Sequence, residues 1–401
     1  MQVTSILTLR FGSRVALVAI VYASIASAIV GLGIVRISVR TGYGMNLLAR
    51  RVLGFRGAFL FSLMFGVNSV IYFAAEATIM GSSLRQLFPH VALSIVLPTI
   101  ALAMMPLVWF GIKVLAKLQF LTFILYGVLL VCALYISIVA PASDRDWLNY
   151  MPSNAPAWPI ALVAAIGTMN SVLFTGGLVS ADYARFVRRS DIGIASLFVG
   201  VGFQAFCFAF SGLLGLWFAV RYLDNNPGSY FVTMLAGWGT VFAIATQLRI
   251  NLTNMYSGSM SFLNVFRQVA NLEVSRHLMV VLFGVGCALA MMSNLLSNLT
   301  VALGVIGMFM TCFTCLVLVD VYILRPISHE EAGASAGPDW RWGAVVSLVA
   351  ATACGGFLQM GMFGPAAVSM ASLIAAAGQT GLYLMSSNRG RKRQPVAELG
   401  S

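Results

Sequence analysis

Eleven stretches of this chain are each about 20 residues long and almost wholly apolar. They fall near 14–35, 57–82, 91–112, 117–140, 159–180, 193–220, 231–257, 278–295, 299–324, 342–361 and 364–386. At 1.5 Å per residue a run of that length crosses the roughly 30 Å hydrocarbon core of a bilayer. Inside lipid every backbone N–H and C=O must find its partner within the chain, so such runs fold as helices. Composition agrees: 9% of the 401 residues are charged and 60% are hydrophobic, where soluble domains carry about 25% charge. The chain reads as an all-α integral membrane protein of about 11 transmembrane helices, with one membrane domain over 1–386 and a basic tail over 387–401.

The net charge of +12 raises the question of nucleic acid, so the positions of the 24 Lys and Arg matter. They sit in short connections between apolar runs, with no basic stripe interleaved with stacking aromatics, which argues against a nucleic-acid partner. Alternate connections differ instead in charge. Eighteen cations, from Arg36, Arg40, Arg50, Arg51 and Arg56 through to Arg389, Arg391, Lys392 and Arg393, fall on one side, against five on the other (Arg10, Arg14, Arg85, Arg145, Arg221). The positive-inside rule makes the first side, and the C-terminus, cytoplasmic, in a multi-pass protein of the cell membrane. An odd helix count then puts the N-terminus outside. The opening MQVTSILTLRFGSR shows no signal peptide that would explain this, and a further helix upstream would remove the mismatch.

Several familiar chemistries find no support. The six cysteines lie inside apolar segments as small hydrophobes, and the pair Cys312 and Cys315 has no second C-x-x-C to complete a metal site. His90, His277 and His329 lie singly in or near loops. GASAG at 333–337 matches G-x-S-x-G but sits in a polar connection, not on a strand-to-helix elbow. Neither Asn251 nor Asn298 offers a credible glycosylation sequon, the first being inside a helix and the second pressed against the membrane. No Walker A, GxGxxG or HExxH occurs, so the reading is of a non-enzyme with no cofactor and no metal.

Polar residues inside the runs carry the information, because lipid cannot satisfy them. On the second run Asn68, Tyr72 and Glu76 fall at i, i+4 and i+8, with Ser69 alongside, on one face. On the seventh, Gln247, Asn251 and Asn254 share a face and Arg249 lies on roughly the opposite one. A buried cation and a buried anion favour each other, so an Arg249 and Glu76 pairing, direct or through a ligand, is expected. On the fifth, Asn170, Ser171 and Thr175 precede Gly176 and Gly177. Adjacent glycines suit either a discontinuous helix whose freed backbone groups face a substrate or simple close packing, and both readings stand.

The segments TGYGMNLLARRVLGFRGAF (Thr41 to Phe59), SADYARF (Ser180 to Phe186), LTNMYSGSMSFLN (Leu252 to Asn264) and VDVYILR (Val319 to Arg325) resemble, in order over nearly the whole chain, the nucleobase-cation-symport family of purine, cytosine, allantoin and hydantoin permeases. The resemblance implies the LeuT-like fold of two inverted five-helix repeats plus two helices. The first run here matches the family's second helix, so the family's first is missing. That assigns 14–140 to the remainder of the first repeat, 159–324 to the second and 342–386 to the extra pair.

Carried over position by position, the family's base-stacking tryptophan and its glutamine four residues on fall at Tyr72 and Glu76. The sixth-helix aromatic falls at Leu173 or Phe174, of which Phe174 is taken, and the asparagine that reads the heterocycle falls at Asn254. The sodium-ligating Ser and Thr fall at Leu248 and Arg249, so the sodium site looks absent. The resulting expectation is a secondary transporter for a small nitrogen heterocycle. Ser69, Tyr72, Glu76, Ser171, Phe174, Gly176, Asn251 and Asn254 would contact substrate, with Arg249 and Glu76 in place of the ion. Coupling would be to H+ or to no ion, because Glu76 can exchange a proton whereas a guanidinium holds its own. Two alternatives stay open: a transporter-derived sensor or structural membrane subunit, and a LeuT-like carrier of amino acids or amines.

Overall fold

In the computed structural model, which describes residues 1–109, 112–139, 145–292, 299–326, 338–359 and 365–391, every apolar run falls on helix and no strand occurs among the described residues. In chain order the elements are α1 (Gln2–Phe11), α2 (Ser13–Thr41), α3 (Met45–Leu53), α4 (Phe59–Leu87), α5 (Leu93–Trp109), α6 (Ile112–Val139) and α7 (Trp158–Ala184). A composite helix over Arg189–Tyr222 follows, made of α8 (Ile192–Ala195), α9 (Phe203–Ala205) and α10 (Ser211–Tyr222) with π-helical turns at Ser196–Gly202 and Phe206–Phe210. Then come α11 (Pro227–Leu235), α12 (Gly237–Ala270), α13 (Arg276–Met292), α14 (Leu299–Val319) with a π turn at Asp320–Leu324, α15 (Trp342–Gln359) and α16 (Pro365–Arg391). Among the described residues seven helices are long and apolar enough to cross a membrane, and α5 and α13 are shorter apolar helices. The GASAG segment, the Asn298 sequon and the tail from 392 lie outside the described residues.

Three elements go beyond the apolar runs. Gln2–Phe11 form α1, which ends at Gly12, whose φ of 92° turns the chain into α2 and would strain any other residue. Within the TGYGMNLLARRVLGFRGAF segment α3 turns Met45, Leu48, Ala49, Val52 and Leu53 inward. The seventh run covers two helices, because the chain breaks at Ala236 (φ 50°) between α11 and α12. Asn226 starts α11: its side chain accepts from the Gly228 N–H at 2.9 Å, with Pro227 at the first helical position.

The chain gathers into two compact units, each assembled from separated segments. The first comprises 1–18, 62–157 and 210–303. Its larger core packs Phe73, Ala77 and Met80 of α4 with Ile100 and Met104 of α5, Leu252 and Met255 of α12, and Phe283 and Cys287 of α13. A second cluster joins Leu130 of α6, Phe218 of α10, Tyr230 and Phe231 of α11, and Phe242 of α12. The second unit comprises 19–61, 158–209 and 304–401. Within it Asn170 of α7 accepts from the Tyr22 hydroxyl of α2 at 2.7 Å and donates to Ser372 of α16 at 3.3 Å. One buried amide thus ties three helices.

Candidate functional site

Helices α4 and α12 pack antiparallel, and three contacts fix their register. Gly66 lies against Phe262, a Cβ on Gly258 would sit 2.7 Å from Ser69 Cβ, and Thr240 donates to the Ser83 carbonyl at 3.1 Å. Glu76 is seven residues from both Ser69 and Ser83, two helical turns each way, so it lies on the stripe of α4 that faces α12. Gln247, Asn251 and Asn254 occupy the corresponding stripe between Thr240 and Gly258. Interpolating the register sets Tyr72 level with Asn254 and Glu76 between Gln247 and Asn251 on the facing stripe.

The polar groups on these stripes are poorly satisfied by the protein. Ser69 donates back to the Phe65 carbonyl at 2.9 Å and is spoken for. Asn251 is fully buried and its Nδ2 has no partner; its Oδ1 receives only a long 3.5 Å contact from Asn254 Nδ2. Gln247 Oε1 and Asn68 Oδ1 are likewise buried without partners. Among the described residues no hydrogen bond or ion pair engages Glu76, although it sits in the same packed interface. Each such group costs about 1–3 kcal/mol when left dry and unpaired. The stripe therefore offers a donor (Asn251), acceptors (Gln247, Asn68) and a carboxylate (Glu76) beside a half-buried phenol (Tyr72), all suited to a flat partner with several edge N–H and C=O groups.

Arg249 does not join this stripe. It lies about 200° around the helix from Asn251, and its guanidinium stacks on Phe123 of α6, 5.2 Å from the ring centroid. One turn on, Thr253 receives a 2.9 Å hydrogen bond from Gln119 of the same helix. The direct Arg249 and Glu76 pair expected above does not form: the periodicity that aims 247, 251 and 254 at α4 aims 249 and 253 at α6. Leu248 packs at the edge of the larger core.

In the second unit α7 is unbroken from Trp158 to Ala184, so the discontinuous helix at Gly176 and Gly177 is not found. The glycines serve packing instead. A Cβ on Gly177 would lie 2.5 Å from Val30 Cγ1 of α2, and Gly31 meets the Gly200 carbonyl at a second close crossing. The Gly176 carbonyl accepts from Gln204 Nε2 at 3.3 Å, and the same amide reaches Ser180 Oγ at 2.9 Å. Phe174 is buried on α7 and Thr175 Oγ1 is buried without a partner. Ser171 falls on the same helix, its side chain outside the described residues.

Sequence reasoning passed over three polar groups in this unit, two of them buried and one half-buried. Gln204 is one, and a lone amide in an apolar run was its only signal. Asp182 of SADYARF accepts from the Met45 N–H at 3.0 Å and so caps α3. Asp320 of VDVYILR is fully buried, accepts from Tyr383 at 2.6 Å and from Arg325 Nε at 2.8 Å, and stands 3.7 Å from Arg51. Parts of three of the quoted segments thus hold one another in place.

Residues 1–384 match the family described as "Permease for cytosine/purines, uracil, thiamine, allantoin". Among solved structures the chain resembles the inward-facing conformation of Mhp1, with a TM-score of 0.71 and 14% identity over 99% of this chain and 89% of that one. It also resembles Mhp1, a nucleobase-cation-symport-1 family transporter, in a closed conformation with bromovinylhydantoin bound (TM-score 0.67, 14% identity, 97% and 89% covered). A manganese transporter of Eremococcus coleocola follows (TM-score 0.60, 14% identity, 97% and 91% covered). No curated protein matches. These likenesses establish the LeuT-like transporter fold.

Proposed function

The chain belongs to the family of permeases for cytosine and purines, uracil, thiamine and allantoin, and from that premise we propose that it moves a flat nitrogen heterocycle of nucleobase type through the cell membrane. The substrate would pass chemically unchanged, and the C-terminus would lie in the cytoplasm. Recognition centres on the facing stripes of α4 and α12. Asn251 Nδ2 donates to a ring carbonyl or ring nitrogen, Asn254 supplies the second amide, Glu76 accepts from paired N–H groups, and Tyr72 stacks on the ring. The single observation that carries this reading is the run of buried, unpartnered polar atoms, Asn251 Nδ2, Gln247 Oε1 and Asn68 Oδ1, on the two facing stripes. Phe174 and Ser171 of α7 are carried as further candidates.

Coupling follows from the chemistry of the same stripe. Leu248 has no side-chain oxygen to offer a sodium ion and Arg249 repels one, whereas Glu76 can exchange a proton. Transport is therefore proposed to be independent of sodium and sensitive to pH. Uptake of labelled purines, pyrimidines and hydantoins into proteoliposomes, under either a sodium or a proton gradient, tests both parts. Uptake of a base unaffected by sodium is expected; dependence on sodium, or uptake of amino acids but of no base, would overturn the reading.

A further inference from the structure

Along α2 the residues Val21, Ile25 and Ile29 recur at helical spacing and are 56–66% exposed, an apolar stripe suited to lipid chains. Continued in steps of three or four, the stripe passes Gly33 and reaches Arg36 and Arg40, both exposed. The change from apolar to basic marks where this face leaves the hydrocarbon. There the two arginines, with Ile37, Val321, Tyr322 and Pro326, line a cavity of about 110 Å³. Its wall is pinned: the Tyr322 hydroxyl, carried on the π turn Asp320–Leu324, donates to the Gly33 carbonyl at 2.9 Å.

No acid lines the cavity, and the one acid on the π turn, Asp320, is engaged by Arg51, Arg325 and Tyr383. Among the described residues neither Arg36 nor Arg40 forms an ion pair. A drug-sized ligand needs about 300–1,000 Å³, so the volume suits only a small group. Two guanidinium forks match the oxygens of a phosphate, and basic pockets between membrane helices at the bilayer edge recognise anionic headgroups.

We propose that this cavity binds the phosphate of an anionic phospholipid, whose acyl chains lie along Val21, Ile25 and Ile29. The shared chemistry is a phosphate oxyanion; the stripe leading directly into the cavity selects the lipid over free phosphate. The site lies wholly within the second unit and is independent of the substrate stripe in the first.

Native mass spectrometry of the purified full chain in detergent, titrated with phosphatidylglycerol, phosphatidylcholine or inorganic phosphate, tests the proposal. The wild type is expected to retain phosphatidylglycerol over phosphatidylcholine. R36Q/R40Q should bind phosphatidylglycerol about 10- to 30-fold more weakly, while R188Q/R189Q, which removes two exposed arginines elsewhere, should leave binding unchanged. R36K/R40K keeps both charges and should keep the preference, which separates a lost site from a lost fold. Equal retention of the two lipids by the wild type, or equal losses in both glutamine pairs, would overturn the proposal. Displacement of phosphatidylglycerol by inorganic phosphate at matching concentration would assign the cavity to a free anion and refute the lipid.

Discussion

Gly176 and Gly177 are neighbours on one helix, yet alanine should act in opposite directions at the two. At Gly176 the new Cβ would lie 3.6 Å from Gln204 Oε1 and 3.7 Å from the Phe208 ring, ordinary contact distances. Replacing glycine by alanine inside a helix gains about 0.8–1 kcal/mol, so Gly176→Ala should be neutral or stabilising. At Gly177 the Cβ would meet Val30 Cγ1 at 2.5 Å and Val30 Cβ at 3.2 Å. Valine in a helix has essentially one rotamer, so α2 and α7 must part, at about 1–3 kcal/mol. Set against the same helix gain, the two variants should differ by about 2 kcal/mol, roughly 30-fold in a stability constant. Thermal unfolding monitored by gel filtration in one detergent reads the difference, and Val30→Ala in the Gly177→Ala background should restore most of the loss. If Gly176→Ala lost as much stability as Gly177→Ala, or if Val30→Ala rescued nothing, the packing explanation for the glycine pair would fail.

Asp320→Ala should cost about 3 kcal/mol, the lower end for breaking a buried ion pair, because Arg325 is partly exposed; Asp320→Asn keeps an acceptor for Tyr383 and should cost less in the same assay. Asn226→Ala removes the cap on α11 and its 2.8 Å bond to Ser82, for about 1–2 kcal/mol, seen as faster hydrogen exchange confined to α11. Arg249→Met forfeits the stacking on Phe123, worth about 0.5–2 kcal/mol, and should lower thermal stability while leaving base affinity within twofold. Base binding should weaken on acidification, because only the ionised Glu76 accepts two N–H groups; the contribution is present above the carboxyl's pKa and lost as pH falls through it. Glu76→Gln should flatten that profile in a binding titration against pH.

The helices were legible because length and apolarity suffice to specify them: the described residues of the eleven runs fall mainly on helix, and seven helices there are long and apolar enough to cross a membrane. Breaks between helices were less so: nothing about Ala236 announces a positive φ, so α11 and α12 merge in the sequence. Faces were legible wherever the 3.6-residue period was followed through. The spacing already set Arg249 opposite Asn251, and that geometry argues against a direct pair with Glu76. Gly176 and Gly177 stayed ambiguous because a glycine pair permits both an unwound segment and a tight crossing, and only Val30 and Gly31 on a distant stretch decide between them. Asp182 and Asp320 stood inside quoted segments, but their partners, Met45, Arg51 and Tyr383, lie more than 60 residues away and could not be read from the chain.

The account rests on the α4 and α12 stripes as the place where a base is read. Isothermal titration of the purified wild type with an aminopyrimidine, alongside Asn251→Leu and Glu76→Gln, addresses it directly. Leucine at 251 leaves a substrate group unpaired, for about 1–3 kcal/mol or roughly a 5- to 150-fold loss. Glutamine at 76 replaces a charge-assisted bond by a neutral one, for about 1 kcal/mol or roughly fivefold. Binding that weakens in this order, in proteins that elute and unfold like the wild type, is the predicted result. Unchanged affinity in Asn251→Leu would contradict the assignment of the site.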